Sequence, residues 1–199
     1  MKKKIKIILA SSSPQRKKIL KKAGFDFSVI RHGINEDIIK NISPSKLARI
    51  LAMRKAVSVY DKIKSSPFAK SDSVRLILGA DTIVVADGEI IGKPADRLHA
   101  AEILKKLSGS KHYVYTGLAF VDLDTGKKIS GYEKTVIHFK KLSDKDISNL
   151  SKKNHDKAGA YAIQSEGDLF VKKIDGDYLN VVGFPLSKFR NMLKKFLKK

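Results

Sequence analysis

Ser11-Ser12-Ser13-Pro14-Gln15-Arg16 follows an apolar run, Ile5 to Ala10, and opens a helical pattern. Where a strand turns into a helix start, free backbone N–H groups and the positive end of the helix dipole meet, so a phosphate can sit there without any special side chain. The three serines add hydroxyl donors, and Arg16 in the first turn adds a planar fork of N–H groups suited to phosphate oxygens. An ordinary Ser-Pro helix cap beside a solvated arginine accounts for the same residues equally well.

Asp81 closes the apolar run Val74 to Ala80, the end of a strand at which open α/β sheets gather ligand groups. A carboxylate there can hold a divalent cation or take a proton from water; a loop aspartate bonded to nearby amides is the plainer alternative. Glu36 can supply a second carboxylate, since Mg²⁺ commonly binds through one or two carboxylates plus substrate phosphates. By itself it is a surface loop residue.

Lys55 falls four residues after Leu51 and eight after Leu47, on the apolar side of a helix, whereas Arg54 points elsewhere. A cation on an inward stripe either finds an anion or snorkels past the core edge to water. Lys93 follows a hairpin and is pinned by Pro94, so its ammonium can project from a defined backbone; a solvated lysine fits too. Gln164 ends a run of small and apolar residues, where a buried amide needs partners such as a base edge, or is a satisfied structural glutamine. The five histidines (His32, His99, His112, His138, His155) share no ligand spacing and receive no role. No GxxxxGK[ST] loop, GxSxG elbow or HExxH helix is present, which removes the usual support for kinase, serine hydrolase and zincin chemistry.

The elements that must position these residues are legible as alternating strands and helices. Strands are expected over Ile5–Ala10, Phe25–Ile30 and Val74–Ala80, the last ending at Asp81-Thr82. Asp87-Gly88 joins Ile83–Ala86 to Glu89–Ile91 as a tight hairpin. A longer hairpin joins Tyr113–Leu123 to Ile129–Phe139 through Asp124-Thr125-Gly126. Short strands are expected around Phe170–Ile174 and Tyr178–Val182. Helices are expected over Pro14–Ala23, from Ser43-Pro44 to about Ile63, and from about Arg97 to Leu107 with Leu98, Ala101, Leu104 and Leu107 inward. Two more run from the capping box Ser143/Asp146 to about Ser151 and onward from Pro185. Helices mixed with hairpins predict an α/β fold with a mixed sheet.

The 199 residues, 42% hydrophobic, fit one domain with a real core, 1–199, or at most two lobes sharing a cleft. The chain holds no cysteine, which excludes disulfides, thiolate zinc sites and a cysteine nucleophile and suits a cytoplasmic protein. The start Met1-Lys2-Lys3-Lys4 imitates a secretory n-region, but Lys6 interrupts a short apolar stretch, so it reads as a first strand. No segment has the length of a membrane span. The net charge of +21 raises nucleic-acid binding. Its distribution argues against it: 34 of the 41 cations are lysine and only 7 arginine, scattered along the chain, as on a solvated lysine-rich surface.

Taken together, LASSSPQR (Leu9 to Arg16), Ile34-Asn35-Glu36, Ala52 to Ala56 around Lys55, GADT (Gly79 to Thr82) and GKP (Gly92 to Pro94) set a pattern. LSG (Leu107 to Gly109), KAGAYAIQ (Lys157 to Gln164) and IDGDYLNVVGFPL (Ile174 to Leu186) complete it. The order and separations resemble the Maf family of nucleoside triphosphate pyrophosphatases, named for an effect on septum formation, over nearly the whole chain. The resemblance implies an elongated mixed β-sheet flanked by helices, in two lobes around a cleft, similar to the inosine-triphosphatase-like (Maf/Ham1) fold, and often a homodimer. It implies a divalent cation, Mg²⁺ or Mn²⁺, and attack of water on the α-phosphorus to give a nucleoside monophosphate and pyrophosphate. By position, Asp81 matches the family's general base or metal-binding aspartate and Glu36 its second acid. Ser11, Arg16, Lys55 and Lys93 match triphosphate contacts. Gln15, Thr82 and Gln164 occupy the positions associated with choice of base. Thr82 and Gln164 agree with the branch that prefers dTTP and UTP; Gln15 stands where that branch usually has an arginine. A basic nucleic-acid-binding protein, or a nucleotide-sensing regulator with little turnover, is the alternative.

Overall fold

The computed structural model describes residues 5–34, 41–64, 74–153, 158–163 and 170–198. Along the chain come β1 (Ile5–Leu9), α1 (Pro14–Lys22), β2 (Phe27–Val29), α2 (Pro44–Ile63), β3 (Val74–Ala86), β4 (Glu89–Ile91) and α3 (Arg97–Leu107). There follow β5 (Lys111–Asp122), β6 (Lys128–Phe139), α4 (Asp144–Leu150), a 3₁₀ turn (Ala158–Ala160), β7 (Val171–Asp175), α5 (Tyr178–Val181) and α6 (Leu186–Leu197). Seven strands form one sheet in the order β2-β1-β3-β5-β6-β7, with β4 paired to β3. β1 runs parallel to both β2 and β3, while β4 on β3 and β7 on β6 are antiparallel. The mixed α/β sheet expected from interleaved helices and hairpins is therefore the one observed. At the β3–β4 hairpin, Asp87 (φ 50°) and Gly88 (φ 79°) both take the left-handed conformation that a tight two-residue turn demands.

The chain divides into two compact units, the first made of Met1–Asp81, Thr116–Tyr132 and Leu186–Lys199, the second of Thr82–Tyr115 and Glu133–Pro185. In the first, α2 packs its small face on β3 and β5, with Ala52, Ala56, Val59, Ile77, Ala119 and Val121 in one core. Two glycines permit that closeness. A Cβ on Gly79 would stand 2.0 Å from the Ala52 carbonyl oxygen, and one on Gly117 2.0 Å from that of Ala48. Phe189 of α6 closes the same unit, its ring edge-on to Phe25 at 5.1 Å and to Phe120 at 5.5 Å. In the second unit the core gathers Ile103, Leu104 and Leu107 of α3 with Val84, Val114, Ile137, Phe139 and Phe170.

Three expectations are corrected. β3 does not stop at Ala80 but continues through Asp81 and Thr82 to Ala86, because the carboxylate of Asp81 meets a cation inside the protein and need not reach solvent. On α3 the buried stripe is Ala100, Ile103, Leu104 and Leu107, and Leu98 is 78% exposed. The segment from Tyr178 forms a helical turn instead of a strand. Asp177 caps it by accepting from the Leu179 amide at 2.8 Å, and the buried Asn180 amide group donates to the Val114 carbonyl at 3.1 Å and to Thr135 Oγ1 at 3.0 Å.

Candidate active site

The Ser-rich turn is built by the end of β1 and the start of α1. Ala10 donates its amide to the Leu78 carbonyl at 2.8 Å, fixing the turn beside β3. Ser13 is the N-cap, with Pro14 following at the first helical position, where its missing N–H removes no bond. Arg16 is 9% and Ser11 3% exposed, and the Arg16 guanidinium donates to Ser11 Oγ at 3.0 Å. Ser11 Oγ also accepts from the Ser13 amide at 3.3 Å. The arginine therefore lies folded back along its own turn, unlike the solvated side chain of a plain cap. Gln15 receives a hydrogen bond from the Ser13 hydroxyl at 3.3 Å. α1 carries no acidic residue, so nothing in it opposes an anion at its first turn.

The second part is the Lys55–Asp81 pair. Lys55 occupies the inward stripe of α2 together with Leu47 and Leu51, as its spacing requires, while Arg54 is exposed. It does not snorkel. Its Nζ donates to Asp81 Oδ1 at 2.5 Å, and the side chains are only 5% and 9% exposed. Removing Lys55 would take this cation from the buried Asp81 carboxylate, a loss of the kind that costs about 3–5 kcal/mol. Ser11, Arg16, Lys55 and Asp81 all belong to the first unit. Ala10, just before the Ser-rich turn, shares a core with Ala52 and Ala56, which flank Lys55 on α2.

Thr82 and Lys93 belong to the second unit. Thr82 is half-buried, and a Cβ on Gly183 (φ 105°) would stand in ordinary contact with Thr82 Oγ1, at 3.5 Å. Lys93 is exposed and Pro94 after it is buried. The Gly92 carbonyl, one residue before Lys93, accepts from the Gly159 amide at 3.2 Å. Glu36 and Gln164 lie outside the described residues.

Sequence reasoning missed two features. Gly79 and Gly117 set the approach of α2 to the sheet, and their signal was a glycine inside each apolar strand pattern. His112 received no role, yet it is fully buried and its Nε2 lies 2.8 Å from the Tyr161 hydroxyl. Burial, followed by the nearby charge of His138, pushes its imidazole down to about 4, and burial pushes the Tyr161 phenol up. The alternation of β5, with His112, Val114 and Thr116 buried between half-buried Tyr113 and Tyr115, is the pattern that marks it as inward.

Among the described residues no three His, Asp or Glu side chains cluster as a metal cage, and no helix is long and apolar enough to cross a membrane.

Residues 6–196 match the family described as "Maf-like protein". The dTTP/UTP pyrophosphatase of Caldanaerobacter subterraneus subsp. tengcongensis is 43% identical over 193 residues, covering 96% of this chain and 89% of that protein. The dTTP/UTP pyrophosphatase of a Thermoanaerobacter species is also 43% identical, covering 96% of both chains. That of Clostridioides difficile is 42% identical over 192 residues, covering 96% of this chain and 94% of the relative. A solved structure of the Staphylococcus aureus Ham1 protein aligns over 97% of this chain and 98% of its own, at 14% identity and a TM-score of 0.48.

Proposed function

The chain belongs to the Maf-like protein family, and from that premise we propose that it is a nucleoside triphosphate pyrophosphatase. It cleaves dTTP, UTP or a modified pyrimidine triphosphate between the α- and β-phosphates, releasing a nucleoside monophosphate and pyrophosphate. Support for the activity comes from relatives such as those of Caldanaerobacter and Clostridioides difficile, which carry the name dTTP/UTP pyrophosphatase at 43% and 42% identity over nearly their full length. The single structural observation that carries the reading is the buried contact of Lys55 Nζ with Asp81 Oδ1 at 2.5 Å. A carboxylate and an ammonium withdrawn from water beside a strand give a reaction centre both a proton acceptor and a fixed cation.

In this reading Ser11, the α1 amides and Arg16 grip triphosphate oxygens, with Lys93 as a further contact. Lys55 neutralises Asp81 until substrate arrives. A phosphate oxygen then draws the ammonium away, and Asp81 Oδ1 becomes free to accept a proton. Water attacks the α-phosphorus, its proton passes to Asp81, the bond from the α-phosphorus to the bridging oxygen breaks, and pyrophosphate leaves with the electron pair. Lys55 and Arg16 stabilise the charge that gathers on the leaving group.

The donor chemistry fits a hard divalent cation. Asp81 offers carboxylate oxygen, Glu36 is the second acid of the motif, and the chain has no thiolate to favour a softer metal. Asp81 and Glu36 would hold Mg²⁺ or Mn²⁺ together with substrate phosphates, and the ion would supply charge neutralisation at the triphosphate. Gln15, Thr82 and Gln164 are proposed to set the choice of base. The reading includes a cytoplasmic protein, acting as a homodimer.

Pyrophosphate release measured across a panel of nucleoside triphosphates, with Mg²⁺, with Mn²⁺ and with chelator, tests it. Release from dTTP and UTP that chelator abolishes is expected. Absence of pyrophosphate from every nucleotide, with salt-sensitive retention on nucleic acid, would replace it by the basic-binding alternative.

A further inference from the structure

The segment Ala158–Ile163 ends in an anchor and carries strain just before it. Gly159 (φ 79°) and Ala160 (φ 58°) are consecutive left-handed residues, and alanine adopts that conformation at a cost that persists only where the surroundings hold it. Ala160 is fully buried, and a Cβ on Gly159 would stand 2.8 Å from the Tyr161 ring, so the backbone is wedged over that side chain. Tyr161 in turn is locked from several sides. Its ring lies edge-on to Phe139 at 5.1 Å, Phe170 at 5.6 Å and His112 at 5.4 Å. Its hydroxyl meets His112 Nε2 at 2.8 Å, a polar bond set among aromatic rings.

That anchor has a second end. The Gly159 amide, two residues before Tyr161, donates to the Gly92 carbonyl at 3.2 Å, and Gly92 precedes Lys93. A bond between side chains in the core thus fixes the backbone that holds the lysine turn. The apolar nest would keep a phenylalanine in place of Tyr161 by packing alone, but not its angle about the ring axis or the pitch of the strained pair behind it.

We propose that Tyr161, through its hydroxyl on His112, is a positioning residue for the triphosphate: it fixes the 158–163 segment, whose Gly159 amide holds the Gly92 carbonyl and so sets the reach of Lys93. The proposal rests on the reading of Lys93 as a triphosphate contact. The imidazole is buried and uncharged around neutral pH, so the bond needs no change of protonation during turnover. Tyr161 touches no reacting atom in this arrangement, and its effect belongs in substrate binding, apart from Asp81.

The test is a double-mutant cycle on Mg²⁺-dTTP hydrolysis with an independent structural readout. Tyr161→Phe is expected to raise KM about fivefold, the effect of losing one hydrogen bond, while kcat stays within about twofold. In a Lys93→Ala background the same substitution is expected to add no further rise. His112→Ala, which removes the bond from the other side, is expected to reproduce the KM increase, and His112→Gln, which can still face the hydroxyl, to reverse part of it. Amide hydrogen exchange at Gly159 is expected to quicken in Tyr161→Phe. Unchanged protection at Gly159, or a KM effect that persists undiminished without Lys93, overturns the proposal. A wild-type protein that releases no pyrophosphate overturns the pyrophosphatase reading beneath it, and exchange at Gly159 then still reports whether the pair holds the segment.

Discussion

Lys55 Nζ and Asp81 Oδ1 stand 2.5 Å apart, with both side chains withdrawn from water. The pair joins helix α2 to the middle of strand β3, so one contact serves both the packing of the first unit and the chemistry proposed for it. A charge pair in such a place gains little net stability over apolar residues of the same size, yet breaking it is severe. Under the proposed function its presence is explained by use.

Asp81→Asn separates the two roles. The amide keeps the size of the side chain but cannot accept a proton, so kcat is expected to fall by about 10²- to 10⁴-fold with a much smaller change in KM. The charged bond from Lys55 is weakened as well, and denaturant unfolding should show a loss of about 1–3 kcal/mol. Full turnover in this variant would remove Asp81 from the mechanism.

Gly79→Ala tests whether the pair depends on the close approach of α2. The added Cβ would stand 2.0 Å from the Ala52 carbonyl oxygen and 2.9 Å from the Ala56 amide, both backbone atoms that cannot swing aside. The helix must shift and carry Lys55, three residues beyond Ala52, away from Asp81. Overpacking of this kind costs about 1–3 kcal/mol, and activity should fall along with the melting temperature. An unchanged melting temperature would mean that the contact between α2 and β3 is looser than the geometry described.

Much of this was legible in the sequence wherever the signal is local. The Ser13-Pro14 cap, the Asp87-Gly88 hairpin and the Ser143/Asp146 capping box each depend on residues a few positions apart, and each formed as its chemistry requires. The inward face of Lys55 followed from helical spacing alone. The continuity of β3 did not, because a charged residue after an apolar run reads as a strand end until its counterion, 26 residues earlier, is known. Tyr178 to Val182 has the β-branched and aromatic composition of a strand, and a buried asparagine with two acceptors outweighs that preference. The partner of His112 lies 49 residues away and leaves no local trace at all.

Gln15→Arg addresses the position where this chain departs from the dTTP/UTP-preferring pattern. Gln15 accepts from the Ser13 hydroxyl at 3.3 Å, beside the Arg16 guanidinium that bonds Ser11. An arginine there would free the Ser13 hydroxyl and add a second planar donor to the turn. KM for dTTP and UTP should fall, or the ratio of pyrimidine to purine turnover should rise, with no change in fold by circular dichroism. Identical kinetics on all substrates would remove Gln15 from the residues that set specificity.

His112 makes stability depend on pH in a predictable direction. Burial holds its folded-state pKa at about 4, against 6.5 for the ordinary side chain. The unfolded chain therefore takes up a proton as pH falls through 6.5, while the folded chain does not until about 4. The stability that His112 contributes is complete above pH 6.5 and is lost progressively between 6.5 and 4, by up to about 3 kcal/mol. Denaturant midpoints measured at pH 7.5 and 4.5 for wild type and His112→Gln isolate this contribution, since the other titrating groups are common to both proteins. The wild type is expected to lose about 2–3 kcal/mol more than the variant over that interval. Equal losses would mean that the imidazole takes up its proton inside the folded protein, with Nδ1, which lacks a partner among the described residues, as the open acceptor.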